Sequence, residues 1–276
     1  MFAFPFLALV LTAVEPSWHT DYVKAYKQAM KDRKDLVIYF RDDDGRLDDV
    51  WADPEIRQAL RRYVCLRLPQ SYRFQGERLL DHPALGEMMS QPGVAVVSYH
   101  DPELPFYEEV VSAHPLVASH YGWVPAYGVE QMQAILDLPP TATLSQRSMI
   151  YAIRVHPERP RSVECTCHRA FLGHASRHSH RQAALRNQHH ADLIATSSQL
   201  TTEVGEPLGG ASEVVAESWG RVLGGENVLE AAFSCVDAWR HSSGHWSAVS
   251  GWHRYFGYDI ARADNGTWYA TGIFAD

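Results

Sequence analysis

Two consecutive prolines, Pro139-Pro140, split this chain, and the stretches on either side of them differ in kind. A proline pair ends any helix that reaches it and stiffens the connection, so no regular element runs through this point. All four lysines, Lys24, Lys27, Lys31 and Lys34, lie before it, whereas ten of the 15 histidines lie beyond residue 150. With 276 residues there is room for two ordinary domains. The expected division is a first domain over 15–138, a connecting segment over 139–149 and a second domain over 150–276.

Each domain must rest on its own apolar packing. Hydrophobic residues make up 46% and charged residues 21%, the balance of a folded globular chain. Four cysteines, Cys65, Cys165, Cys167 and Cys235, are too few for a disulfide-built scaffold. Cys165 and Cys167 are too close to bridge each other without strain, and either has the option of pairing with Cys235.

In the first stretch, Tyr22, Ala25, Tyr26 and Ala29 recur at helical spacing with lysines on the other face. Leu36–Phe40, Tyr63–Leu68 and Val94–Tyr99 read as buried strands, and Asp53-Pro54 as a helix start with an Asp cap. A last helix is expected over Val129–Leu136. Strands alternating with helices imply an α/β layer. This order, with Gln91-Pro92-Gly93 ahead of the third strand, resembles the thioredoxin fold. That family carries a redox Cys-x-x-Cys after the first central strand and a cis-proline before the third. Pro92 stands at the proline position, but Asp42-Asp43-Asp44 replaces the cysteines. Without a thiolate there is no dithiol exchange there. Nor does Asp42-Asp43-Asp44-Gly45 fit the alternate-residue register of a calcium loop, so it reads as a solvated turn.

In the second stretch, helices are expected over Ala170–Leu185 and Asn227–Trp239. The end reads as a hairpin, with Tyr255–Ile260 and Trp268–Phe274 joined across Asp264-Asn265-Gly266. Trp239-Arg240-His241-Ser242-Ser243-Gly244-His245-Trp246, the Ser212-Glu213-Val214-Val215-Ala216 segment, His189-His190 and the last aromatic strand occur in the order found in CAP domains, the cysteine-rich secretory, antigen 5 and pathogenesis-related superfamily. The resemblance implies an α-β-α sandwich with a cleft lined by His189 or His190, Glu213, Glu217, His245 and Ser242. The second acidic residue usual on the later helix has no counterpart; Ser242 stands near its place.

Two imidazoles from separate segments, such as His190 and His245, are able to hold zinc with a carboxylate and water completing the shell. No short zinc signature is present, however, and the same groups equally orient a polar ligand. The expected function is therefore non-enzymatic: capture of a small ligand, lipid or protein partner in the cleft, with the thioredoxin-like domain as a scaffold. The alternative is a metal-assisted hydrolase with Glu213 or Glu217 as general base. His174, His178 and His180 read as a solvated helix face, and a helix end at Gly244 leaves His241 at the rim.

With a net charge of −8, no basic field argues for nucleic acid or an anionic membrane surface. Residues 1–14 form an apolar run too short to span a bilayer, its length suiting a signal peptide. No other membrane-length stretch occurs, and a secreted or envelope-associated protein is expected, with an uncleaved anchor as the alternative.

Overall fold

The computed structural model describes residues 16–188, 193–218 and 226–276, with the side chains of 193–198 left aside. The chain is mixed α/β. A two-residue strand β1 (Trp18–His19) leads into helix α1 (Tyr22–Asp32), capped by Asp21, whose carboxylate accepts from Lys24 N at 2.8 Å. Then come β2 (Leu36–Arg41), α2 (Asp48–Ala52), α3 (Pro54–Leu60) and β3 (Val64–Pro69). A small ribbon of β4 (Arg73–Phe74) and β5 (Glu77–Arg78) precedes β6 (Gly93–Val97), β7 (Val110–Pro115) and α4 (Val129–Leu136). The sheet order is β1-β3-β2-β6-β7, with β1, β3 and β2 parallel and β6 and β7 antiparallel to their neighbours. Every residue of β6 and the first five of β2 are buried, as a sheet covered on both faces requires.

The second stretch runs through α5 (Leu144–Arg154), β8 (Thr166–Cys167), α6 (Arg169–Leu185), α7 (Leu193–Val204) and β9 (Ala211–Glu217). It ends with α8 (Val228–Arg240), α9 (Ser243–Ser250) and the hairpin β10 (Tyr255–Arg262) and β11 (Trp268–Ala275). The sheet order is β8-β10-β11-β9. Gly257 lets α6 lie against β10, because a Cβ there would collide with the backbone of Phe171 and Leu172. Gly266, at φ +89°, closes the hairpin.

Three expectations change. Residues 144–149, expected as connecting chain, are the first turns of α5, started by a capping box in which Thr143 Oγ1 accepts from Gln146 N and Gln146 Oε1 from Thr143 N. Gly244 does not end a helix: α8 stops at Arg240, and Gly244 sits in the first turn of α9. Among the described residues no peptide bond is cis, so Pro92 is trans.

The two sheets are not separately cored. One continuous apolar cluster runs from Val37, Tyr39 and Val96 through Met149, Ile153 and Phe233 to Tyr258 and Phe274. Helix α5 lies between the sheets, with Ile150, Ala152 and Ile153 wholly buried. Rings continue the join: His156 sits 4.7 Å from Trp123 on one side and 4.7 Å from Trp246 on the other. Among the described residues no helix is long and apolar enough to cross a membrane.

Candidate functional site

Side chains alternate across a strand, so each strand of the second sheet presents one set of residues to α6 and the other to the shared core. Val214, Ala216, Tyr258, Ala270 and Phe274 belong to the shared core. Beneath α6 the sheet sets two buried polar residues, Asp259 and Thr271, among apolar ones such as Ala261, Tyr269 and Ile273. Asp259, wholly buried, accepts from Ser145 Oγ of α5 at 2.6 Å and from Ser179 Oγ of α6. Thr271 Oγ1 donates to Gln182 Oε1 at 2.9 Å. Burial pushes the Asp259 carboxyl above its usual range, and the two serine bonds pull the other way. Both hydroxyls are bonded to Asp259, Ser179 Oγ also reaching the Ser176 carbonyl at 3.1 Å, so this layer fastens α5 and α6 to the sheet.

At the β9 edge of the same layer, His178 Nδ1 pairs with Glu213 Oε1, each side chain 11% exposed. Glu217 closes the strand opposite Tyr269, whose phenol is raised first by burial and then by this carboxylate. His174 Nε2 meets Glu203 Oε1 at 3.2 Å, and burial holds its pKa below the ordinary value.

The expected cleft residues are thus distributed as follows. Glu213 and Glu217 share strand β9. Ser242 occupies the cap position of α9 without a side-chain cap bond, and His245 lies in the first turn of that helix beside the buried Trp246. No hydrogen bond or ion pair among the described residues joins His245 to Glu213 or Glu217. His189 and His190 lie outside the described residues. No group of three His, Cys, Asp or Glu side chains gathers among the described residues as a metal centre would require. In place of the expected set, Glu213 takes His178. That histidine and His174 were expected on a solvated face; instead they lie inward, and His180 alone of the three is open, at 68%. The signal was in the spacing: 171, 174, 175, 178, 179 and 182 form one helical stripe, polar and apolar residues alike.

The turn after β2 is equally occupied. The buried carboxylate of Asp42 accepts from Arg46 N at 3.1 Å and pairs with Arg46 Nε at 2.5 Å. It is the anchor of the turn, which corrects the reading of a wholly solvated loop; Asp43 and Asp44 do face solvent. All four cysteines are free, so neither Cys165 nor Cys167 is bonded to Cys235. Burial pushes the thiols of Cys65 and Cys167 up to about 12, far from the thiolate form that exchange chemistry needs.

Compared with known proteins, the chain matches no family model, no curated protein and no solved structure.

Proposed function

We propose that the chain is a binding protein without turnover. In this reading a thioredoxin-like first half, lacking the redox cysteine pair, braces a CAP-like second half. The second half takes a small ligand, a lipid or a protein segment at the edge of β9, with His178, Glu213 and Glu217 on the α6 side of that edge, His245 of α9 approaching it from the core side, and one of His189 or His190 completing the set that the sequence order implies. The carrying observation is the His178–Glu213 pair: an imidazole set against a carboxylate, both nearly buried. Two features support the halves. The β1-β3-β2-β6-β7 order with antiparallel β6 and β7 is that expected of a thioredoxin-like sheet, and helices flank the β10–β11–β9 sheet on both faces. The apolar run over 1–14 supports secretion or envelope association.

Palmitate is a suitable probe, having both a carboxylate and an apolar chain, and Trp246 beside His245 is a built-in reporter. Tryptophan emission of the full chain is expected to shift saturably with palmitate, and the shift to be lost in Glu213→Gln and His245→Ala. Zinc is expected to induce no hydrolysis of p-nitrophenyl acetate. Stoichiometric zinc, with turnover abolished by Glu213→Gln or Glu217→Gln, would overturn this reading in favour of a metal-assisted hydrolase.

A further inference from the structure

Between the two halves lies a cavity of about 360 Å3, at the small end of ligand pockets. It is bounded by residues 116–127, the first turns of α8 and the turn after β2. Its walls are mostly apolar, chiefly Leu47, Leu116, Tyr127, Leu229 and Phe233.

Three of the polar groups that reach it are already engaged within the chain. Arg46 is held by Asp42 at 2.5 Å and donates to the Leu116 carbonyl at 3.3 Å. Asn227 caps α8, its Oδ1 accepting from Glu230 N at 2.9 Å while its amide donates to the Glu87 carbonyl at 3.2 Å. Ser119 Oγ accepts from Tyr121 N at 3.1 Å. The leading amide of α8, Val228 N, donates to Glu87 Oε2 at 2.7 Å, so the positive end of that helix is matched by the chain's own carboxylate.

Glu230 differs. Its side chain is only 12% exposed, and Oε2 meets His120 N at 3.3 Å and His120 Nδ1 at 3.2 Å. Oε1 accepts no hydrogen bond from the described residues. The His120 ring is 77% exposed, and an ion pair so open to water contributes little. An acidic residue in a first helical turn needs no such enclosure to favour the helix dipole. Glu226 stands nearby, its carboxyl raised by burial and then by the Glu230 charge.

We propose that this cavity binds a small organic cation: an ammonium group on an aromatic or aliphatic body, with Glu230 as its counter-ion and the rings of Tyr127 and Phe233 against the body. An anion would have to win Arg46 from Asp42, and a neutral guest would offer Glu230 at most a hydrogen bond and no counter-charge. A cation gains both the carboxylate and the ring faces. The site is separate from the His178–Glu213 edge, and either reading stands if the other fails.

The test holds the body constant and varies the head. Tryptamine, tryptophol and indole-3-acetate are titrated into the full chain by calorimetry, beside Glu230→Gln, which removes the charge, and Leu229→Trp, which fills the cavity and keeps it. Saturable binding is expected for tryptamine, with affinity falling roughly tenfold or more in each variant, and indole-3-acetate is expected not to bind. Glu230→Gln should keep the native melting temperature nearly unchanged; if it does not fold, Leu229→Trp carries the comparison. Absence of tryptamine binding, equal binding of tryptophol or indole-3-acetate, or undiminished tryptamine binding in folded Glu230→Gln would overturn the proposal.

Discussion

Arg147 of α5 brings its Nη2 to 3.7 Å from Asp35 Oδ2, across the join between the two halves, and only 1% of the arginine is exposed. Its Nε donates to the Ala142 carbonyl at 3.0 Å and its Nη2 to the Pro140 carbonyl at 3.1 Å. Asp35 Oδ1 in turn accepts from Tyr99 N at 2.9 Å and meets His100 Nδ1 at 2.7 Å. One guanidinium thus ties the proline turn, the helix after it and the first sheet together.

Removing it should be expensive. Arg147→Met is expected to lower unfolding free energy by about 3–5 kcal/mol, since it takes the counter-charge from a buried carboxylate and the donor from two carbonyls. Asp35→Asn in the Arg147→Met background should cost less than the sum of the single changes, because the charge left behind is gone. Urea denaturation of the four proteins measures both terms.

His114 is 2% exposed, packed 4.5 Å from the Tyr151 ring, and burial, with a smaller push from Arg147, drives its pKa from 6.5 down to about 3. Native His114 therefore stays neutral where the unfolded chain takes up a proton. Stability falls as pH drops below about 6.5 and goes on falling to about 3, by up to about 1.4 kcal/mol per unit. His156 and His174 are lowered too and act with the same sign. His114→Phe should flatten the slope between pH 6.5 and 5, read from urea midpoints; an unchanged slope would refute the assignment.

Asp259 distinguishes shape from charge. With Ser145 and Ser179 both donating to it, Asp259→Ala should cost about 1–3 kcal/mol by removing the acceptor they share and leaving a gap in a closed layer, although each hydroxyl keeps a second partner in Thr143 or Ser176. Asp259→Asn keeps an acceptor oxygen in place, and its raised carboxyl pKa means little charge stabilisation is lost. That variant should stay within about 1 kcal/mol of the native chain in the same denaturation assay.

The strongly patterned elements were legible from local chemistry. The Leu36–Phe40 run became β2, Asp53-Pro54 opened α3, and Asp264-Asn265-Gly266 closed the hairpin. Strand β7 was missed because Ser112 and His114 interrupt its apolar run, and their burial is a property of the packed sheet. Helix α5 carries its capping box as Thr143-Leu144-Ser145-Gln146, but a proline pair shortly before a cap resembles the end of a segment more than the start of a helix. For the site, Glu213 and Glu217 fell on one strand as their spacing allows, but no periodicity announces that Glu213 meets His178, 35 positions earlier in the numbering. Such a pairing is created by the crossing of α6 over the sheet, and that in turn depends on Gly257.

Because α5 belongs to the packing of both sheets, the proline turn is a seam rather than a border. A chain cut at Pro139-Pro140 would give two pieces, one presenting the bare face of the first sheet and the other an uncovered α5. Neither piece should be soluble alone, yet co-expressed they have the complementary surfaces to find each other. The fold therefore has the makings of a split protein, whose reassembly could report whenever two attached partners are brought together.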